Sequence, residues 1–225
     1  AASLYGSRAA NGVIIITTKK GKKGVAHVSY NGYVAVENVS KDLDLATASD
    51  LRNYAAANNF ELSSDEGADT DWQKEVERTG ISHNHNIAVS GGNDKSNYNV
   101  SLNYLNHEGV IRGTDMERFT ARALAQSTVF KDHLTLSLGV NASQTTSNEV
   151  PEGSSGASVA DAMIYYSPTQ PIRNEDGSWF RSNSVSQYYN PLSMINEDTE
   201  KNIYKRMQLT GKADLKIIEG LTWSA

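Results

Sequence analysis

The sequence has no cysteine, only four prolines, and seven Phe and Trp residues together in 225 positions. Without cysteine the chain has neither disulfides nor thiolate metal ligands. It also lacks any apolar run approaching the roughly 18 residues that a membrane-spanning helix needs. That excludes a helical membrane protein and leaves a membrane barrel open, because barrel strands alternate apolar and polar residues and are hydrophilic on average. Neither sign of charge dominates: 21 basic against 26 acidic residues give a net charge of -5, which argues against a nucleic-acid partner. No Ser-His-Asp arrangement, phosphate-binding loop or dinucleotide fingerprint is legible, so no catalytic residue and no cofactor are expected.

What the sequence has is alternation. Val28, Tyr30, Val34 and Val36 alternate with Ser29, Asn31, Tyr33 and Glu37. The same period of two marks Ile87 and Val89, then Tyr98, Val100, Leu102 and Tyr104, then Phe119, Ala121, Ala123 and Ala125. It continues through Leu134, Leu136, Leu138, Val140 and Ala142, and through Ile203, Met207, Leu209, Ala213 and Leu215. Strands are expected at 25–37, 82–90, 96–106, 117–129, 133–146 and 203–217, with a further one at 221–225. Most exceed the usual strand of about five or six residues. The connections alternate too. Long inserts at about 38–82 and 147–202 and a medium loop at 106–116 are separated by short turns at 91–94, 131–132 and 219–220. Helices are expected near the Ser49-Asp50 capping pair and around Asp71 to Arg78. Short turns at one rim and long loops at the other are the habit of outer-membrane barrels. Two rival readings are a secreted or surface glycan-binding β-sandwich, although its strands are shorter and its loops are not sorted by parity, and a glycan-cleaving enzyme.

More specific wording lies at the start. "LYGSRAANGVIIITTKKGK" (4–22) resembles the end of the plug domain in the SusC/RagA subfamily of TonB-dependent outer-membrane transporters. "VSYNGYVAVENVS" (28–40) is similar to the first barrel strand of that subfamily. "DWQKEVERTGISHNHNIAVSGGNDKSNYNVSLNYLNHEGVI" (71–111) and "ERFTARALAQSTVFKDHLTLSLGVNAS" (117–143) are similar to the next four. The resemblance implies an all-β chain: the last plug strand (1–18), a lysine-rich hinge (19–24), and the N-terminal part (25–225) of an antiparallel transmembrane barrel of about 22 strands. It implies import of an oligosaccharide or peptide across the bacterial outer membrane, with a SusD-like surface lipoprotein and TonB as partners and membrane lipid outside, and no enzymatic activity.

Candidate contact residues are the aromatics of the long inserts: Trp72, Tyr165, Tyr166, Trp179, Phe180, Tyr188 and Tyr189. Flat rings suit stacking on sugars or packing against a partner, and equally suit packing the loops on themselves. The polar stripe, with Asn99, Ser101, Asn103, Arg118 and Arg122, is expected to face a lumen or plug. Tyr30, Tyr98 and Tyr104 are expected at the lipid side. His83 and His85 share one strand face but lack a third ligand, so they read as interface residues and no metal is expected. Asn174 to Gly177 ("NEDG") reads as an Asx-type turn. The pairs Asp65/Glu66 and Asp69/Asp71 read as loop charge, and the Asn38-Val39-Ser40 sequon carries no weight in a bacterial-type protein.

Overall fold

The computed structural model describes residues 24–152, 158–182, 189–198 and 200–225. The expected plug strand (1–18) and almost all of the hinge (19–24) lie outside the described residues, and Gly24 opens the first strand. Seven strands follow: β1 (Gly24–Glu37), β2 (Gly80–Gly92), β3 (Ser96–Glu108), β4 (Asp115–Val129), β5 (Leu134–Glu149), β6 (Glu200–Ile218) and β7 (Leu221–Ser224). Four short helices occupy the long connections: α1 (Ala48–Ala57) and α2 (Trp72–Val76) in the first, α3 (Val159–Tyr165) and α4 (Pro191–Glu197) in the second.

All seven strands form one antiparallel sheet in sequence order, each beside its chain neighbour. The strands run up to three residues beyond the limits of alternation, because pairing with a neighbour continues past the last apolar position. The register joins the apolar stripes into rows. Tyr30 pairs with Ile87 and Ile87 with Leu102; the row continues through Ala121 and Ala142 to Met207. The next row joins Val28, Val89, Val100, Ala123, Val140 and Leu209. On the opposite face the rows are polar, such as Ser101, Arg122, Asn141 and Gln208.

The apolar rows are not covered. Val34, Leu138, Met207 and Leu209 are each about two-thirds exposed, which a soluble sheet would not tolerate over an area this continuous. A β-sandwich would bury this face under a second sheet, and no second sheet exists among the described residues. The β5 stripe from Leu134 to Ala142 extends roughly 27 Å along the strand at 3.4 Å per residue; a barrel tilt near 40° makes that roughly 20 Å of depth, close to the apolar band of a membrane barrel.

The buried core lies elsewhere. Trp72, Val76, Val150, Val159, Ala162, Met163, Tyr166, Leu192, Met194 and Ile195 form one cluster, with Ile111, Ile172 and Trp179 packed on it. None of the buried members belongs to a strand. The core is built from the two long inserts and sits at one end of the sheet, beyond the ends of β1, β3 and β5.

Local chemistry explains the ends. The cap of α1 is Thr47, two residues before the expected Ser49: its hydroxyl accepts from Asp50 N–H, and the Asp50 carboxylate accepts from Thr47 N–H in a reciprocal box. At α2 the Asp71 carboxylate accepts from Lys74 N–H. The β2–β3 turn is an Asx turn at Asn93, whose side-chain oxygen accepts from Lys95 and Ser96 N–H; Gly91 and Gly92, expected in the turn, belong to the strand. At the β4–β5 turn Phe130, Lys131 and Asp132 all take positive φ.

The face assignment gives a direct test. Leu138→Arg, at the middle of the exposed stripe, should cost about 2–4 kcal/mol in a membrane barrel and impair assembly. Ser137→Arg, on the opposite face, should assemble nearly normally. Heat-modifiable gel migration of both variants checks this, and equal defects would refute the two-face assignment.

Candidate functional site

Two surfaces are available for function: the polar face of the sheet and the rim built by the inserts. The polar face is hollow. Asn86, Ser101, Asn103, Arg118, Arg122 and Arg206 are among the residues lining a cavity of about 520 Å3 there, and Asn99 lines a neighbouring one of about 490 Å3. Its side chains are braced by their neighbours. Asn84 and Asn103 exchange amide hydrogen bonds at 3.1 and 3.3 Å, Arg118 Nε donates to Thr145 Oγ1 at 3.1 Å, and Arg122 Nε donates to Asn141 Oδ1 at 3.4 Å.

The rim is a compact unit. Residues 64–72 of the first insert are laced to 167–170 of the second. Ala68 and Thr70 N–H donate to the Thr169 and Pro168 carbonyls, Thr70 Oγ1 to the Gln170 carbonyl, and Trp72 Nε1 to the Ser167 carbonyl at 2.9 Å. Arg78 fastens the unit to the β3–β4 loop, donating to the carbonyls of Gly109 and Thr114. In that loop Gly113 has φ +83, and a Cβ there would meet Val150 and Ile195 at 2.9 and 3.0 Å. The position therefore requires glycine on both conformational and packing grounds. Arg52 forks onto Asp65 with both nitrogen–oxygen distances at 2.8 Å. That guanidinium, helped by Gly67 N–H, holds the Asp65 carboxyl down at about 2.

On the apolar face, at the edge of the stripe nearest the rim, aromatic and imidazole rings gather. Tyr30 Oη lies 2.7 Å from His85 Nδ1, and His83 packs against both His85 and Tyr104. Rings with a polar tip beside an apolar band have the chemistry of a membrane-interface girdle. The described residues contain no cluster of three or more potential metal ligands.

These features meet known proteins at one point. The chain is 38% identical over 203 residues to the TonB-dependent receptor SusC of Bacteroides thetaiotaomicron, an alignment covering 85% of this chain and 20% of that protein. It is 30% identical over 228 residues to the TonB-dependent receptor P3 of Formosa agariphila, covering 98% of this chain and 22% of that one. The chain belongs to the SusC/RagA family of TonB-dependent receptors. Its fold agrees: it superposes on the RagAB peptide importer in the closed-closed state with a TM-score of 0.75 at 20% identity, over 98% of this chain and 30% of that one. The open-open state gives 0.73 over the whole chain. No protein-family model matches the chain. The chain spans about a fifth of the length of the curated receptors it matches.

Within this receptor segment the seven candidate aromatics do not form one surface. Trp72 and Tyr166 are both 3% exposed and meet edge to face, ring centroids 5.1 Å apart. They hold the two inserts together and are withdrawn from ligand contact; burial also pushes the Tyr166 phenol up. Trp179 packs on the same core, with the Arg173 guanidinium stacked 3.7 Å above its ring. Phe180 is half-buried beside it. Tyr165 and Tyr189 are well exposed, Tyr165 at the mouth of a cavity of about 680 Å3 between the inserts. Tyr188 lies outside the described residues. Asp65, Asp71 and Asp176 all serve local structure: Asp65 holds Arg52, Asp71 caps α2, and Asp176 accepts from Ser178 in an Asx turn. The sequence reading missed the convergence of Arg206 with Arg118 and Arg122, across an insert of about 50 residues. Strand parity was the signal that could have found it.

Trp72→Ala should loosen both inserts together, costing the rim about 3–5 kcal/mol and opening new protease sites on each side while the sheet stays resistant. Tyr165→Ala should leave the digestion pattern unchanged. The Arg52–Asp65 pair predicts a pH dependence. Asp65 titrates lower folded than unfolded, so its contribution is complete above about pH 4 and is lost as pH falls toward about 2. Asp65→Asn should therefore be cleaved faster by pepsin than wild type at pH 4, and at the same rate near pH 2.

Proposed function

We propose that this chain forms part of the wall and outer rim of an outer-membrane importer. The single observation that carries the reading is one sheet with an unburied apolar face, a hollow polar face, and, among the described residues, a core displaced to one end. A wall between lipid and a watery lumen needs that arrangement. In the reading, residues 1–18 close a plug, residues 19–24 let it move, and 25–225 begin the barrel. Lysines and glycines in "KKGKKG" suit a solvated hinge at the membrane rim. The nutrient is an oligosaccharide or peptide too large for passive pores, delivered beneath a SusD-like surface lipoprotein and admitted when TonB pulls the plug. The RagAB structures are of a peptide importer, and this chain's similarity to them supports that class of activity. Import of this kind makes and breaks no covalent bond in its cargo, so the chain has no catalytic role and uses no cofactor.

The exposed Tyr165 and Tyr189, on a rim stiffened by Trp72 and Tyr166, would present rings to the cargo or to the lipoprotein. Rigid aromatic surface binds with little entropy cost.

The receptor containing this segment should fractionate with outer membranes and need detergent. Deleting either the receptor or its neighbouring lipoprotein should abolish uptake of one oligosaccharide or peptide. A detergent-free, monodisperse full-length protein, or uptake unaffected by either deletion, would contradict the import reading.

A further inference from the structure

The hollow polar face carries three arginines on successive rows. Arg118 shares a row with Thr145 and Tyr204, Arg206 with Ser143 and Thr120, and Arg122 with Asn141 and Gln208. Successive rows are two residues apart, roughly 7 Å along a strand. All three side chains are exposed and line the same cavity of about 520 Å3. Among the described residues none of them is ion-paired. The side chains of Arg118 and Arg122 donate to Thr145, Met116 and Asn141, all neutral. The lining of that cavity includes no carboxylate among the described residues; toward the rim Arg118 also lines a cavity of about 610 Å3 with Asp115, Glu149 and Glu152.

Three like charges on one wall are costly unless something anionic offsets them. Residues 1–23 do not supply it, because that stretch contains Arg8 and four lysines and no Asp or Glu. A guanidinium presents a planar fork that matches a carboxylate, and it does so best where water is confined between low-dielectric walls. Arginine rings on a pore wall favour anions for the same reason. Asn103 and Asn141 add amide groups beside the forks, suited to the hydroxyls or amides of the same solute.

We propose that Arg118, Arg122 and Arg206 form a binding site on the lumen wall for carboxylate groups of the imported solute, so that this receptor takes an acidic oligosaccharide or acidic peptide. The inference rests on the import reading and narrows its substrate class.

The test uses the whole receptor, purified in detergent, with four probes: tetragalacturonate and its neutral galactose counterpart, tetraglutamate and tetraglutamine. At low salt, at least one carboxylated probe should bind about tenfold more tightly than its neutral partner. That preference should shrink as salt rises. R118Q/R122Q/R206Q should reduce it below about twofold while neutral-probe binding and heat-modifiable migration stay unchanged. Preference confined to the uronate assigns a sugar acid; preference confined to glutamate assigns a peptide. If the triple variant fails to assemble, R122Q alone should lower the preference about threefold. Equal binding within both pairs, including no binding to any probe, would overturn the inference. So would a preference that survives in the triple variant. Should the triple variant admit vancomycin while keeping its carboxylate preference, the arginines hold the plug and the inference is likewise overturned. Failure of the import reading shows separately, as absence from the outer membrane.

Discussion

In an extended strand neighbouring side chains point to opposite sides, and a sheet held in one register turns that fact into two surfaces of different chemistry. Here β1 to β6 keep the alternation through long strands without a slip in the middle of any ladder. A shift of one residue would send Leu138 inward and Ser137 outward, along with every other residue of the strand. Cohesion of the sheet therefore comes from the backbone ladder. In hydrocarbon that ladder is compulsory, because an unpaired amide or carbonyl has no water to turn to.

This explains why the core is where it is. Apolar side chains of the strands are assigned outward, so the only place to build a packed interior is beyond the strand ends. The inserts do so with Trp72 and Tyr166 at the junction, the lacing between 64–72 and 167–170, and Gly113 giving way to Val150 and Ile195. The result is a rim stiff enough to hold Tyr165 and Tyr189 in fixed positions, next to a polar wall whose arginines wait for charge of the opposite sign.

The strands were legible in the sequence because alternation is a local signal, readable from five or six residues at a time. The short turns at 91–94, 131–132 and 219–220 also point to hairpin partners, whereas the β1–β2 and β5–β6 pairings span long inserts and came only with the structure. The rim was less so. Trp72 and Tyr166 lie 94 positions apart, in segments with no period, and nothing local says that one ring closes on the other. Their aromatic character read as contact surface, whereas their burial makes them structural. Thr47 took the cap from Ser49 because the reciprocal bond needs a carboxylate three residues on, which Asp50 supplies to Thr47 and not to Ser49. The arginine wall was half visible. Arg118 and Arg122 sit in one alternating strand, but Arg206 joins them only through the β5–β6 pairing.

The central claim is that the two faces meet lipid and water. The segment has no cysteine of its own, so single cysteines at 136 to 141, labelled with a fluorophore in the membrane-embedded receptor, report each position separately. The account predicts strict alternation: a lipid-phase quencher dims labels at 136, 138 and 140, while an aqueous quencher reaches 137, 139 and 141. Equal aqueous quenching at all six positions would contradict it.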